Sequence, residues 1–394
     1  MGVISIRNFP ERRARRPRPS PGRKSASPDV LWVANIAANY RRPVWASLGS
    51  RISLTVAVFY RDMHIPGPPG RVADWSSPGR SHFRVRMLRC IRIPSPIGPT
   101  FVLMSGLRMG RERPRAVVIS GWDTPVFWQT LALAKAFHIR TVGFYESHLG
   151  TMKYRHGPIA AARRLFFRSL DTVVVPGSAA RRAVESFGVE PARIHVGFNA
   201  VDVEAFHQQA LAARTASSVS VGDGHAFVFV GRLVPLKQVE LIVRAYGQVR
   251  LPGDSLTIIG EGPSESSIRQ VIAELGLKDH VTLRPWIPNA ELAQTLSQLN
   301  TLVLASNNEV WGLVVNEALA TGMHAVVTKN CGVYESIATM PGVYGCTSTE
   351  DDLAAALAAS RSEWRGWIES PRILAYTPEA LSVVLERAAL PEGP

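Results

Sequence analysis

Short apolar runs alternate with amphipathic stretches of helical period twice along this chain, and that pattern leaves few folds open to it. In the first series, residues 31–36, 52–60, 116–120, 141–145 and 172–176 have strand length and composition. Residues 43–50, 124–138, 159–169 and 179–187 between them carry helical spacing. The run at 52–60 is apolar on both faces, as strands are when helices cover a parallel sheet on both sides. A second series places strands at 226–230, 255–259, 281–283, 301–305 and 325–328, with helices at 239–249, 265–275 and 289–299. Between the two lies the polar, small-residue stretch 207–224, which the composition predicts to be a connection. Such alternation implies an open parallel sheet wound on both faces. A length of 394 residues suits two of them. The expected α/β architecture is thus two doubly wound domains, 30–206 and 225–368, facing across a cleft. A last helix, 369–394, is expected to pack back towards the N-terminal domain.

Composition narrows the setting. Cys90, Cys331 and Cys346 are widely spaced and odd in number, which fits neither a disulfide framework nor a metal site and predicts a reducing cytoplasm. No apolar run reaches the ~18 residues of a membrane span. The formal charge is +14, and half of it lies in residues 1–28, where eight Lys or Arg face one acid, Glu11. This Pro- and Ser-rich segment lacks the apolar content to fold, so residues 1–29 are expected to be a disordered basic tail. A solvated extension or a start assigned too far upstream is the plain reading of such a tail. Contact with an anionic membrane at the inner face, nucleic-acid binding and organellar targeting are its functional rivals. Only Phe9 interleaves the arginines, so no specific nucleic acid is expected.

Three segments carry chemistry, and each follows a predicted strand. Gly231-Arg232-Leu-Val-Pro-Leu-Lys237 offers a turn and two cations suited to a diphosphate. Gly260-Glu-Gly262-Pro263 allows close backbone approach, although Glu265 at the third glycine position excludes a dinucleotide fingerprint. The third segment runs from Ser306 to Gly322. It places Glu309 in a polar loop, then an aromatic-glycine turn, then Glu317 eight residues on within an apolar helix. A helix N-terminus attracts phosphate, and carboxylates accept hydrogen bonds from sugar hydroxyls. Each segment alone is more often an ordinary charged loop or turn. All three on one sheet edge suit a nucleoside diphosphate bearing a sugar.

The same residues resemble the retaining, family 4 type glycosyltransferases of the GT-B fold, built from two Rossmann-like domains. The resemblance rests on Ser306, Glu309, Trp311-Gly312-Leu313-Val314, Glu317-Ala318 and Gly322. Gly231, Arg232, Lys237 and the Gly260–Gly262 turn extend it, as does Asn199-x-x-Asp202-x-x-x-Phe206. It implies that Arg232 and Lys237 neutralise the donor diphosphate, Glu309 meets the donor sugar, Glu317 binds the ribose, and Trp286 and Ile287 flank the base. It also implies retention of anomeric configuration, no cofactor and no metal. The N-terminal half is implied to bind a glycan, lipid-linked or small-molecule hydroxyl acceptor. Glu146 and His148 are its candidates for aligning or deprotonating the acceptor. Arg163 and Arg164 are candidates for phosphate contact, and Asn39 and Tyr40 for the loop nearest the phosphates. That loop lacks the Gly-Gly of many relatives, and Met323-His324 stands where many have Pro. A nucleotide-sugar hydrolase or epimerase on the same fold, and a non-catalytic polyanion binder acting through its tail, are the alternatives.

Overall fold

A computed structural model describes residues 27–59, 82–94, 100–216 and 224–391. Residues 1–26 of the expected tail, the stretch 61–81 whose Gly, Pro and Ser content reads as loop, and residues 217–223 of the expected connection lie outside the described residues.

The N-terminal domain is a seven-stranded parallel sheet. Its strands are β1 (Val30–Ala34), β2 (Leu54–Val58), β3 (Arg84–Met87), β6 (Ala116–Ile119), β7 (Arg140–Phe144), β8 (Thr172–Pro176) and β9 (Ile194–Gly197), in the order β3-β2-β1-β6-β7-β8-β9. An antiparallel hairpin, β4 (Arg89–Ile93) and β5 (Thr100–Ser105), inserts after β3. The C-terminal domain holds β10 (Ala226–Val230), β11 (Ser255–Ile259), β12 (Val281–Arg284), β13 (Thr301–Leu304), β14 (His324–Thr328) and β15 (Val343–Cys346), ordered β12-β11-β10-β13-β14-β15. In both sheets the order turns back beside the first strand, between β1 and β6 and between β10 and β13. Crevices for ligands open at such switch points, outside the C-terminal strand ends. β1, β2, β6, β8 and β14 are buried along their whole length, which explains their unbroken apolar runs.

Two boundaries differ from the sequence reading. Residues 207–216 are not an open connection. They continue the helix Val203–Ala216, which packs against the helices Asn289–Leu296 and Leu313–Ala320 of the C-terminal domain. His207 and Arg214 tie it there through Ala320 O (2.9 Å) and Ser297 O (2.9 Å). Small polar residues suggested a linker, but the Ala-rich stretch also has high helix propensity, and burial of Phe206 and Ala210 decides in its favour. The last helix is shorter than 369–394 and spans Pro378–Ala389. It lies on the N-terminal sheet, with Leu381, Leu385 and Ala388 in one core with Trp32, Trp45 and Val118. Arg51 fixes it by a 2.6 Å ion pair to Glu386.

Candidate donor and acceptor site

The loops after β10 and β11 are locked together by backbone. Leu233 N donates to Glu261 O at 2.9 Å, and Ser264 N to Leu233 O at 3.0 Å. A Cβ on Gly260 would stand 1.8 Å from Gly231 O, and one on Gly262 2.2 Å from Leu233 O. The glycines thus serve a close approach between two loops of the protein, and so hold Arg232 and Lys237 in place. Asn307 N, donating to Leu236 O at 3.0 Å, adds the loop after β13 to the same assembly.

Lys237 Nζ donates to Glu309 Oε2, and both side chains are partly exposed. Arg232 is exposed and has no partner among the described residues. Gly312 follows with φ of 97°, and a Cβ there would strike Leu304 Cδ2 at 2.7 Å, so glycine is required where the chain turns into the helix Leu313–Ala320. The N-terminal end of that helix faces the loop bearing Glu309 and carries partial positive charge. Leu313 and Val314 are half-buried in this first turn. Trp311, expected in the donor set, is instead buried in the core. Its ring packs edge-on against Phe198 (4.9 Å), and Nε1 donates to Asn316 Oδ1 at 3.3 Å.

Glu317 has no side-chain partner among the described residues. It lines a cavity of about 370 Å³ together with Asn39, Tyr40, Asp202, Trp286 and Ile287. Asn39 Oδ1 in this wall is also without a hydrogen bond. Burial pushes the Glu317 carboxyl up to about 7. An unsatisfied, costly carboxyl facing a cavity between an indole and polar loops is an acceptor group awaiting hydroxyl donors.

On the N-terminal side, Glu146 is not free. Arg41 donates to its Oε1 at 2.6 Å and Asn199 Nδ2 at 2.7 Å, while Arg41 also reaches Asn199 Oδ1 at 3.1 Å. Arg41 is buried over the Phe144 ring, with 4.5 Å to the centroid. Asn316 Nδ2 donates to Asn199 O at 2.7 Å, so the cluster joins both domains. His148 is likewise engaged at both nitrogens. Gly150 N donates to Nδ1 at 3.2 Å, which leaves the proton on Nε2 to donate to Glu309 O at 2.9 Å. Neither residue stands ready as a base in this arrangement; His148 bonds across to the loop of Glu309, and Glu146 is held by Arg41 and Asn199 on its own side. Arg163 is buried against Trp122 and Phe187 and donates to Tyr154 O at 2.7 Å, with its Nε left without a hydrogen bond. Arg164 is exposed on the same helix, Gly157–Ser169.

The residues that sequence reasoning missed are Arg41, Asn316 and the wall of a second cavity of about 320 Å³. Beside the expected His148, Arg182, Asn307, Lys329, Asn330 and Glu335 line it, and Arg182 pairs with Glu335 across the domains. A second polar residue beside Glu317 in the apolar stretch 313–320 was the available signal for Asn316; nothing local marked the others.

Two facing doubly wound domains, with paired carboxylates and two strand-end cations at the C-terminal switch point, have the GT-B architecture. Residues 214–360 match the family described as Glycosyl transferases group 1, and residues 55–205 match Glycosyltransferase Family 4. The chain belongs to the group 1 glycosyltransferases of GT-B fold. It is 33% identical over 165 residues to a D-inositol 3-phosphate glycosyltransferase of Mycobacteroides abscessus, covering 40% of this chain and 37% of that protein. The corresponding Mycobacterium tuberculosis protein is 32% identical over 180 residues, covering 44% and 36%. The matches therefore span little more than a third of these relatives' length. In fold, the chain is similar to Anabaena HepE in complex with UDP (TM-score 0.63, 13% identity, 91% of this chain and 95% of that one). It is also similar to the lipopolysaccharide outer core galactosyltransferase WaaB (TM-score 0.65, 13% identity, 91% and 98%).

Proposed function

We propose that the protein transfers a sugar from a nucleoside-diphosphate sugar to an acceptor hydroxyl with retention of configuration. The acceptor is a glycan, lipid-linked or small-molecule hydroxyl, as in assembly of a polysaccharide or glycoconjugate. The observation that carries this reading is the unpartnered Glu317 in a cavity with Trp286, eight residues from a Glu309 that already holds a cation. In this reading the base stacks near Trp286 and Ile287, and the ribose hydroxyls donate to Glu317. The diphosphate lies towards Arg232, Lys237 and the helix N-terminus. Lys237 exchanges its Glu309 partner for phosphate oxygen, which releases Glu309 to accept from the donor sugar.

The bond between the anomeric carbon and the diphosphate oxygen breaks as the acceptor oxygen bonds to that carbon from the same face. The acceptor proton passes to the departing diphosphate, whose oxygen gains charge on that face. Fixed cations and helix N–H groups oriented before reaction stabilise that charge. The reading invokes no metal and no cofactor. It also leaves His148 and Glu146 as positioning groups.

A panel of nucleotide sugars tested by thermal shift checks it. A true donor at 100-fold its Kd stabilises by about 2.7 kcal/mol. Glu317→Ala is expected to weaken the bare nucleoside diphosphate, and Glu309→Ala chiefly the sugar-bearing donor. Equal loss of bare diphosphate in both variants defeats this division of roles. Sugar release unchanged by the presence of any acceptor identifies a hydrolase instead.

A further inference from the structure

The second cavity, of about 320 Å³, serves no step of the proposed transfer. It opens where the loop after β14, residues 329–332, faces the helix Gly177–Ser186 of the N-terminal domain. The strand order β12-β11-β10-β13-β14 puts it on the far side of the Glu309 loop from the cavity of Glu317 and Trp286. Arg232 and Lys237 take no part in its wall. Local bonds build that wall. Lys329 N donates to Cys346 O at 2.9 Å and Gly332 N to Glu309 O at 3.0 Å, so both ends of the loop are fixed. Gly177 has φ of 74°, and a Cβ there would stand 2.5 Å from Ser336 Oγ. Its glycine lets the N-terminal helix start directly against the other domain. Arg182 of that helix then reaches Glu335, and Ser178 Oγ donates to Glu335 Oε2 at 2.8 Å.

The hydrogen-bonding capacity left over in this wall is one-sided. The Glu335 carboxylate is engaged at both oxygens, by Arg182 and by Ser178. His148 is engaged at both nitrogens. Lys329 Nζ and Asn307 Nδ2 have no hydrogen bond or ion pair among the described residues. A wall whose carboxylate is satisfied and whose N–H groups are free calls for a ligand that accepts. Charge sets its valence. Lys329 and Arg182 against Glu335 leave one positive charge in the wall, which one carboxylate balances. A phosphate monoester, at about −1.5 to −2, exceeds it and would face Glu335 as well. Asn307 and Asn330, whose side chains meet at 3.4 Å, add groups that both donate and accept, as ring hydroxyls require. The volume is that of a small-molecule pocket rather than of a bare ion.

We propose that this cavity binds a sugar acid of the hexuronate class, its carboxylate on Lys329 and Arg182 and its hydroxyls on Asn307 and Asn330. The two cations come from different domains, so an occupant ties the domains together beside the contact of His148 with Glu309 O. A free sugar acid and a uronate residue of a glycan chain both offer this carboxylate with its ring hydroxyls. The site is read from the cavity alone and stands whether or not sugar transfer is the activity.

The test is calorimetric titration and thermal shift of the full chain, at low salt, with glucuronate, galacturonate, their methyl glycosides, glucose and glucose 6-phosphate. At least one of the two acids is expected to bind, and glucose, which lacks the charge, roughly tenfold or more weakly. The methyl glycosides separate the two sources. Their capped anomeric oxygen is tolerated if a glycan residue is the occupant and excludes them if the free acid is. Lys329→Gln and Arg182→Gln, one in each domain, should each weaken the acid roughly tenfold or more by removing a charge-assisted contact. Both side chains are exposed, so both variants should melt like wild type without ligand. Arg232→Gln should leave the binding in place. Loss of binding there puts the acid in the donor site and overturns the assignment. Failure of both acids to bind overturns it, as does glucose binding as tightly as either. A wild-type response in either the Lys329 or the Arg182 variant overturns it too. So does tighter binding of glucose 6-phosphate, which would show a wall with more positive charge than one carboxylate balances.

Discussion

If Glu317 binds ribose as a carboxylate, donor affinity must depend on pH in a way the structure fixes. Burial raises this carboxyl from 4.5 to about 7. Hydroxyl donors favour the ionised form, so binding drives a proton off. For a ligand that needs the carboxylate, affinity is full above that value and falls about tenfold for each pH unit below it. A nucleotide sugar should therefore bind about tenfold more weakly at about pH 6 than at about pH 8. Its two phosphates are both esterified and do not titrate in this range, so the intact donor is the right ligand, whereas the free diphosphate is not. Glu317→Gln should bind weakly and show no such slope.

The unliganded protein should show the opposite sign. A carboxyl held above its ordinary value stabilises the fold fully below the unfolded value, and that contribution is lost as pH rises through about 7. At alkaline pH, Glu317→Gln should therefore be more stable than wild type. The ceiling is about 3 kcal/mol, lowered by whatever water the cavity admits. At about pH 4 the two proteins should unfold alike. Isothermal titration across this range, with denaturant melts of the apo forms, measures both arms. A donor Kd that is flat with pH, or a slope that survives in the Gln variant, refutes the assignment of the ribose to Glu317.

Two further outcomes follow from contacts that hold the cleft together. Arg41→Leu strips the cation from Glu146 and Asn199 and should cost about 3 kcal/mol in chemical denaturation, and adding Glu146→Gln should recover more than half of it. Gly262→Ala drives a Cβ to 2.2 Å from Leu233 O, so it should destabilise by about 1–3 kcal/mol and weaken diphosphate binding through the displaced loop of Arg232 and Lys237. A variant that melts and binds like wild type would show that these two loops are not coupled.

The legible parts of this chain were those encoded locally. Strand and helix periods gave β10 and β11 with their exact residues, and the alternation of apolar runs with helical stretches implied open parallel sheets wound on both faces. Glu317 could be singled out because it interrupts an apolar helix. Pairing across long stretches of sequence was not legible. Glu146 looked like a free cleft carboxylate because Arg41, which neutralises it, lies 105 residues earlier. Arg163 looked like a phosphate ligand because nothing in its helix announces Trp122 and Phe187 around it. Trp311 belonged to a motif that resembles a ligand site, yet its ring fills the space beside Phe198. The hairpin at residues 89–105 escaped notice because alternating Arg and Ile resembles a solvated edge until the pairing register shows which residues share a face.

The helix Pro378–Ala389 covers one face of the sheet that contains Val30 and Trp32. A ribosome makes that sheet before the helix, with the entire second domain in between. The earliest strands and first helix therefore leave the tunnel with Trp32, Trp45 and Val118 facing a partner not yet translated. Maturation of the first domain must wait for synthesis of the second domain and of the helix that follows it. A premature stop just before residue 378 would leave the second domain's sheet intact and strip a wall from the first.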